Sequence, residues 1–265
     1  MSAAAAVVEH PVLELESVNK FFGGVHAVND MSFAIQKGEL AGLIGPNGAG
    51  KTTIFNLITG VYPVSTGHIT FNGNDITNQV THKVINSGIA RTFQNLRLFK
   101  GSTVLENVMT ACQQHHKYTL LEAATHMGRW KRIEKEIRSE SMALLERVGL
   151  AKEADRGAGT LPYGHQRRLE IARALALEPE LLLLDEPAAG MNPEEVLDLN
   201  DLIQAIHKDF QLTILVIEHH MELVMEICPH IVCMNFGALI AEGSPDDIQG
   251  HPEVLKAYLG EEVEE

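Results

Sequence analysis

The segment GPNGAGKT, residues 45–52, has the composition of a loop that binds the phosphate groups of a nucleotide. Its three glycines permit a curled backbone in which successive N–H groups converge on phosphate oxygens. The lysine adds a positive charge for the outer phosphates, and the following threonine hydroxyl is a suitable ligand for Mg²⁺. An apolar run precedes the segment and a helical pattern follows it, which is the context that such a loop requires. The expected nucleotide-binding residues here are Gly45, Pro46, Asn47, Gly48, Ala49, Gly50, Lys51, Thr52 and Thr53.

Two acidic residues end the apolar run LLLLDE, residues 181–186. Asp185 stands where the run stops, and a carboxylate at the end of a buried strand suits the Mg²⁺ that accompanies a nucleotide. Glu186 follows at once and suits the role of a base, or of a group that orients the attacking water. A solvated turn is the alternative explanation for this pair. With the phosphate loop, the pair predicts a site for the hydrolysis of a nucleoside triphosphate.

The strands that must position these residues are predicted from the apolar pattern. Continuous apolar runs at 181–185 and 212–218 are typical of strands that are buried on both faces of a sheet. Further strand-like segments occupy residues 12–18, 31–35, 40–44 and 68–73, and two short strands are expected around Gly237. The pattern indicates the α/β class with a helical insertion at about residues 96–178.

Helical patterns occupy residues 103–114 and about 128–149, and another helix reads clearly from Gln166 onward. A further helix is expected to begin after Asn192 as N-cap, with Pro193 in its first turn and Glu195 completing a capping box. Helices then follow the last strands and end near Leu259.

Composition excludes several classes of protein. The 265 residues carry a net charge of −14 and no long basic run, so a nucleic-acid partner is not expected. The N-terminal residues lack the basic region of a signal peptide, and no window approaches about 18 uninterrupted apolar residues. Three dispersed cysteines fit a reducing compartment. The histidine-rich segments EHHME (218–222) and QQHHK (113–117) lack a third ligand at suitable spacing, so zinc is not expected.

Taken together, these motifs resemble the ATP-binding cassette (ABC) ATPases, and the resemblance extends from Leu13 to Gly260. It implies a P-loop NTPase (RecA-like) α/β core with an antiparallel β subdomain and an inserted helical subdomain. The whole chain, 1–265, would then be one cassette. Its core would comprise 11–95 and 179–243, its helical subdomain 96–178, and its C-terminal helical tail 244–265.

The family also places a signature motif, usually Leu-Ser-Gly-Gly-Gln, where a helix of its helical subdomain begins. In a head-to-tail dimer that helix N-terminus faces the γ-phosphate of ATP held by the opposite subunit, as the free N–H groups and dipole of a helix start allow. Here the motif is LPYGH, residues Leu161, Pro162, Tyr163, Gly164 and His165. Proline replaces the serine and lacks both its hydroxyl and an N–H, so one contact to phosphate in trans is missing.

The resemblance assigns roles to further residues. Gln94 corresponds to the glutamine that contacts Mg²⁺ and the attacking water and senses the membrane partner, so Mg²⁺ ligands are expected at Thr52, Gln94 and Asp185. His219 corresponds to the histidine that contacts the γ-phosphate, and catalysis is expected from Glu186, His219 and Gln94. Two positions remain: Phe22 corresponds to the aromatic residue that stacks on adenine, with Phe21 as the alternative, and Asn192 replaces the usual aspartate of the D-loop.

Longer segments, among them ARTFQNLRLFKGSTVLENVM (90–109) and IEHHMELVMEI (217–227), closely resemble one of the two ATPases of branched-chain amino-acid importers. This implies ATP and Mg²⁺ as cofactors and a peripheral position on the cytoplasmic face of the membrane. The implied partners are a second ABC ATPase (in a homodimer or heterodimer), two membrane permeases and, indirectly, an extracytoplasmic solute-binding protein. The alternatives are an importer ATPase for another small solute, a soluble ABC ATPase of DNA repair or translation, a P-loop kinase, and an ATP switch that does not hydrolyse.

Overall fold

The computed structural model describes residues 10–116, 129–219 and 221–259. His220 of the EHHME segment, Lys117 of the QQHHK segment and the end of the tail from residue 260 lie outside the described residues. The chain divides into two compact units: unit 1 runs up to Val84 and resumes at Cys228, and unit 2 runs from Ile85 to Ile227. The subdomain limits inferred from the resemblance stay a prediction.

The strands, in chain order, are β1 (Leu13–Phe22), β2 (Val25–Ile35), β3 (Leu40–Ile44), β4 (Thr66–Phe71), β5 (Asn74–Asp75), β6 (Ile89–Arg91), β7 (Leu181–Asp185), β8 (Thr213–Ile217), β9 (His230–Asn235) and β10 (Ala238–Gly243). The helices are α1 (Lys51–Ile58), α2 (Thr81–Asn86), α3 (Val104–Cys112), α4 (Trp130–Arg147), α5 (Tyr163–Leu175), α6 (Pro193–Phe210), α7 (Met221–Ile227), α8 (Pro245–Gln249) and α9 (Pro252–Leu259). Short 3₁₀ turns occupy Ala151–Glu153 and Ala158–Thr160. Within the described ranges, no helix is long and apolar enough to span a membrane.

Unit 1 contains an antiparallel sheet in the order β2-β1-β4-β5. Leu13 of β1 pairs with Ile35 of β2 on one side and with Phe71 of β4 on the other, and all three side chains are buried. Large apolar side chains aligned across neighbouring strands stabilise such a sheet through cross-strand packing. In the same unit, β3 pairs with β9 in parallel and β9 pairs with β10 in antiparallel orientation.

A histidine lies between two carboxylates in unit 1. His230, the first residue of β9, places Nδ1 2.7 Å from Glu39 and Nε2 3.0 Å from Glu242. The hydrogen bond with Glu39 raises the pKa of His230 despite partial burial, and Glu242 adds to the effect. Burial alone would raise the pKa of Glu39, but the hydrogen bonds from His230 and from the Gln36 backbone outweigh it and lower that pKa. Both shifts favour the charged pair.

Unit 2 is built on three parallel strands, with β7 between β6 and β8. Every residue of β7 and β8 is buried, which confirms the sequence-based expectation for the two apolar runs. The helix after β7 also begins as expected: Asn192 accepts a hydrogen bond from the backbone N–H of Glu195, whose side chain accepts one from Asn192 N. This capping box satisfies backbone donors that a helix start leaves unpaired.

Helix α5 begins earlier than the apolar periodicity indicates. Its first helical residue is Tyr163 instead of Gln166, and Pro162 occupies the N-cap with φ −54° and ψ 154°. The pattern misses this start because tyrosine, glycine and histidine interrupt the apolar periodicity. Proline is tolerated at the N-cap because the first N–H groups of a helix have no hydrogen-bond partner within the helix. No side chain caps this terminus.

All three cysteines are buried free thiols. Burial raises the pKa of Cys112, and it raises the pKa of Cys228 and of Cys233 to about 12. At neutral pH they are therefore protonated and pack as small apolar side chains.

Candidate nucleotide-binding site

The phosphate loop of unit 1 connects the end of β3 to the start of α1. Gly45, Gly48 and Gly50 have φ values of +152°, +77° and +106°. A Cβ at Gly45 would lie 2.1 Å from the Met234 carbonyl oxygen, and one at Gly50 would lie 2.6 Å from that of Ala27. Neither position has room for a side chain, so glycine is required there for steric as well as conformational reasons.

Lys51 is buried at the first position of α1, with 4% of its surface exposed. Its ammonium donates hydrogen bonds to the carbonyl oxygens of Gly45 (2.5 Å) and Pro46 (2.8 Å), so the charge is held within the curve of the loop. Thr52 follows with an exposed side chain, and no side chain caps the N-terminus of α1. Backbone donors, a helix N-terminus and a cation together form an arrangement suited to phosphate.

The two candidate aromatic residues of unit 1 differ in their surroundings. The Phe21 ring stacks on His26, with 4.1 Å between centroids. The Phe22 ring is 42% exposed, meets Tyr62 edge-on and has Lys20 Nζ 4.8 Å from its centroid. Phe21 is 47% exposed, and each ring has a neighbour over it, so the choice of Phe22 for stacking on a base stays a prediction from the family resemblance.

Asp185 of unit 2 is 2% exposed at the end of β7. Its Oδ2 accepts a hydrogen bond of 2.6 Å from Arg91 Nη2, an ion pair whose side chains are only 3% and 6% exposed. Its Oδ1 is buried without a hydrogen-bond partner among the described residues. A buried carboxylate oxygen without a donor fits a Mg²⁺ ligand, since Mg²⁺ prefers oxygen ligands.

Glu186 lies beside the two other predicted catalytic residues, Gln94 and His219. Its Oε2 accepts a hydrogen bond of 2.7 Å from the Gln94 side-chain amide and lies 3.9 Å from His219 Nδ1. The Glu186 backbone has φ +44°, a left-handed conformation that is uncommon for a residue with a side chain and is often found at functional sites. The structure thus brings Gln94, Glu186 and His219 together within unit 2.

The start of α5 packs against the segment that follows Glu186. A Cβ at Gly164 would lie 3.0 Å from Glu195 Oε1, and one at Gly190 would lie 3.7 Å from the Tyr163 ring. Leu161 is buried, and Pro162 is exposed. The start of α5, Gly190 and the first turn of α6 therefore lie close together in unit 2.

Comparison with known proteins identifies the family. A family model described as "ABC transporter" matches residues 28–189, which is more than half of the chain. The chain belongs to the ABC transporter family. A second model, described as "Branched-chain amino acid ATP-binding cassette transporter", matches residues 238–264 of the cassette.

Individual relatives agree with this assignment. The cassette is 44% identical to the high-affinity branched-chain amino acid transport ATP-binding protein BraF of Pseudomonas aeruginosa, over 96% of this chain and 100% of that protein. It is 41% identical to LivG of Escherichia coli K12, which carries the same description, with the same coverage. Among solved structures, the ADP conformation of MJ1267, an ATP-binding cassette of an ABC transporter, has a TM-score of 0.82 and 32% identity over 95% of this chain and 99% of that chain.

Family membership confirms the predicted P-loop α/β fold, ATP binding and ATPase activity. The relatives are transport proteins, which favours a transport ATPase over a kinase or a soluble ABC ATPase. The roles of individual site residues stay predictions, and the geometry above supplies their physical basis.

Sequence reasoning missed several charged residues that hold the site of this ABC cassette together. Glu218 is 0% exposed, and its Oε1 accepts a hydrogen bond of 2.7 Å from Ala188 N in the segment after Glu186. Arg91 pairs with Asp185, as described, and Arg167 is fully buried in α5. A charged residue at a position that the apolar pattern assigns to the core is the only local signal for such residues.

Proposed function

We propose that the chain is the ATP-hydrolysing subunit of an importer that takes up branched-chain or other hydrophobic amino acids through membrane permeases. The observation that carries the catalytic part is the contact of Glu186 with Gln94 and His219. The neighbouring Asp185 has a buried oxygen to which no described residue donates a hydrogen bond. The solute is inferred from the match of residues 238–264 to a branched-chain amino-acid cassette model and from the relatives BraF and LivG.

In this proposal ATP is bound by the phosphate loop, with its outer phosphates near Lys51 and its base on Phe22. The Lys51 ammonium already contacts two loop carbonyl oxygens, and a phosphate oxygen would replace or share these contacts. By family resemblance, Gln94 and Asp185 of unit 2 would be ligands of a Mg²⁺ ion that neutralises phosphate charge.

Hydrolysis requires that Glu186 become available to the attacking water. One of its oxygens accepts the Gln94 amide, so release of that hydrogen bond would free the carboxylate to orient the water or accept its proton. His219, 41% exposed at its side chain, would contact the γ-phosphate. The Gln94–Glu186 contact therefore gives the permease-sensing glutamine a direct influence on the proposed base.

The start of α5 would complete the ATP site of a second cassette in a homodimer or heterodimer. Its N-terminus has no side-chain cap, so backbone N–H groups can donate to phosphate. Pro162 supplies no such donor, which leaves this half-site to the backbone from Gly164 onward, His165 and the helix dipole.

The proposed assembly is peripheral to the cytoplasmic face of the membrane. Two permease subunits would contact the cassettes near Gln94, and an extracytoplasmic binding protein would deliver the solute from the other side. If the permease broke the hydrogen bond between Gln94 and Glu186 when solute is delivered, solute delivery would be linked to ATP hydrolysis.

The test is a reconstituted transporter containing this chain, its permeases and a binding protein in liposomes. Glu186→Gln is expected to retain ATP binding and to lower phosphate release by about 10²–10⁴-fold, because an amide is a poor base. Glu136→Gln, in an exposed pair with Arg132 on α4, is the matched control and is expected to turn over normally. Wild-type turnover by Glu186→Gln would refute the catalytic assignment, and ATPase stimulation only by another solute would refute the assigned substrate.

A further inference from the structure

Helix α5 contains a charged pair in its buried face. Arg167 is 0% exposed, and its Nη1 lies 2.7 Å from Glu170 Oε2, whose residue is 5% exposed. Burial raises the pKa of Glu170, and the neighbouring Arg167 opposes that shift. A buried ion pair contributes little net stability compared with apolar residues of the same volume. Its presence in an apolar face therefore indicates a task other than packing.

The pair holds the backbone on both sides of the peptide that joins Phe93 to Gln94. Arg167 Nη1 donates to the Phe93 carbonyl oxygen (2.7 Å), and Nη2 donates to that of Gln94 (3.0 Å). The Phe93 N–H donates to Glu170 Oε1 (3.3 Å). Because a guanidinium is a rigid planar fork, these contacts determine the direction in which the Gln94 side chain leaves the backbone.

The same guanidinium also contacts the first residue of α5. Arg167 Nη2 lies 3.3 Å from the Tyr163 hydroxyl, and Arg167 Cζ lies 6.0 Å from the centre of the Tyr163 ring. A Cβ at Gly190, in the segment between Glu186 and α6, would lie 3.7 Å from the Tyr163 ring. Tyr163 is therefore placed to respond to changes at the start of α5.

A continuous series of contacts within unit 2 now leads from the start of α5 to the proposed base. Tyr163 contacts Arg167, Arg167 holds the Gln94 backbone, and the Gln94 amide donates to Glu186. Each contact is a hydrogen bond between described residues, and the central residue, Arg167, is fully buried.

We propose that Tyr163 and Arg167 are positioning residues that make the Gln94–Glu186 contact depend on what is bound at the start of α5. The inference rests on the proposed function, in which that start faces the ATP of a second cassette. A phosphate at the α5 N-terminus would shift Tyr163 and, through Arg167, the backbone of Gln94. Occupancy of one ATP site would thereby control the catalytic base of the other. The role of Tyr163 in the LPYGH segment would be to transmit this change to Arg167.

The experiment is a double-mutant cycle in the reconstituted transporter, with Arg167→Lys and Tyr163→Phe each combined with Gln94→Ala. In the wild-type background, Arg167→Lys is expected to lower kcat about 10-fold and Tyr163→Phe about 3-fold, with the KM for ATP changed less than about 2-fold. In the Gln94→Ala background, either change is expected to lower kcat by less than about 2-fold, since the residue through which both act is absent.

Arg168→Lys is the matched control. Arg168 is the next residue of α5, and its partner Asp198 lies 3.3 Å away with a side chain that is 70% exposed. This variant is expected to leave kcat unchanged in both backgrounds. Thermal unfolding of every variant separates loss of turnover from loss of folded protein.

If the fold-losses in kcat of Arg167→Lys and Gln94→Ala multiply in the double mutant, the inference is overturned, because Arg167 then acts on turnover independently of Gln94. If Arg167→Lys does not fold, the Tyr163→Phe cycle decides in the same way, since that change removes only a hydroxyl. A wild-type transporter without ATPase activity would overturn the proposed function itself. If the wild type is active but the α5 variants and Gln94→Ala lower kcat independently, only the positioning role is overturned.

Discussion

Replacing Arg91 by methionine is expected to destabilise the protein strongly, because it leaves the buried Asp185 carboxylate without its cation. The two charged groups are 2.6 Å apart, and their side chains are 6% and 3% exposed. Removing one partner of such a buried pair costs about 3–5 kcal/mol. For a chain of this size each kcal/mol lowers Tm by about 2–4 °C, so the expected loss is about 6–20 °C.

An exposed pair of the same length provides the control for this variant. Arg147 Nη1 also lies 2.6 Å from a carboxylate, that of Asp209, but these side chains are 58% and 39% exposed. Arg147→Met is expected to cost less than about 1 kcal/mol, because water already screens the pair. The comparison therefore varies burial while the distance between the charges stays the same.

The assay is thermal and urea unfolding of both variants, with and without saturating Mg²⁺-ATP. If Mg²⁺ binds Asp185, it supplies the missing positive charge, so the deficit of Arg91→Met should narrow when Mg²⁺-ATP is present. Equal losses of stability in Arg91→Met and Arg147→Met would refute the argument from burial. A deficit that Mg²⁺-ATP leaves unchanged would count against Asp185 as the metal ligand.

Three further predictions concern the phosphate loop, the start of α5 and the histidine of β9. Lys51→Ala is expected to weaken ATP binding by about tenfold or more, since a charge-assisted contact contributes about 1.5–3 kcal/mol, and unchanged affinity in calorimetry would contradict the loop assignment. Pro162→Ser adds a hydroxyl to an uncapped helix start and should increase the ATP-bound dimer seen by light scattering without changing the nucleotide affinity of the monomer; an unchanged dimer fraction would place Pro162 away from phosphate. The pKa of His230 is raised in the folded protein, so its contribution to stability is complete below its unfolded pKa of about 6.5 and is lost as pH rises through the folded pKa. The free energy of unfolding in urea should therefore depend less on pH in His230→Asn than in wild type across this range.

Parts of the fold and site were predictable because their signals are local. The limits of β3 and β7 match the apolar runs at 40–44 and 181–185, because strands buried on both faces leave no polar position within them. The capping box at Asn192 depends on residues three positions apart, so sequence alone was sufficient to predict it.

Other features depend on contacts between distant parts of the chain and have no local pattern. Arg167 bonds to carbonyl groups 73 and 74 residues away, and Arg91 pairs with a carboxylate 94 residues away. The apolar periodicity indicates a start of α5 that is three residues too late, because Tyr163 faces other groups of unit 2 instead of continuing the apolar stripe. Periodicity detects burial among apolar residues, and it gives no indication of a charge that is buried with its partners.

The burial of all three cysteines makes this chain suitable for site-specific labelling with thiol reagents. With a pKa of about 12, Cys228 and Cys233 are thiolates to an extent on the order of 10⁻⁵ at pH 7, and Cys112 is only 4% exposed. A maleimide or nitroxide probe should therefore react selectively with a single cysteine introduced on the exposed face of α4, for example by Lys135→Cys. Spectroscopic distances between two such probes would report the approach of two cassettes during the ATP cycle, with the native thiols left in place.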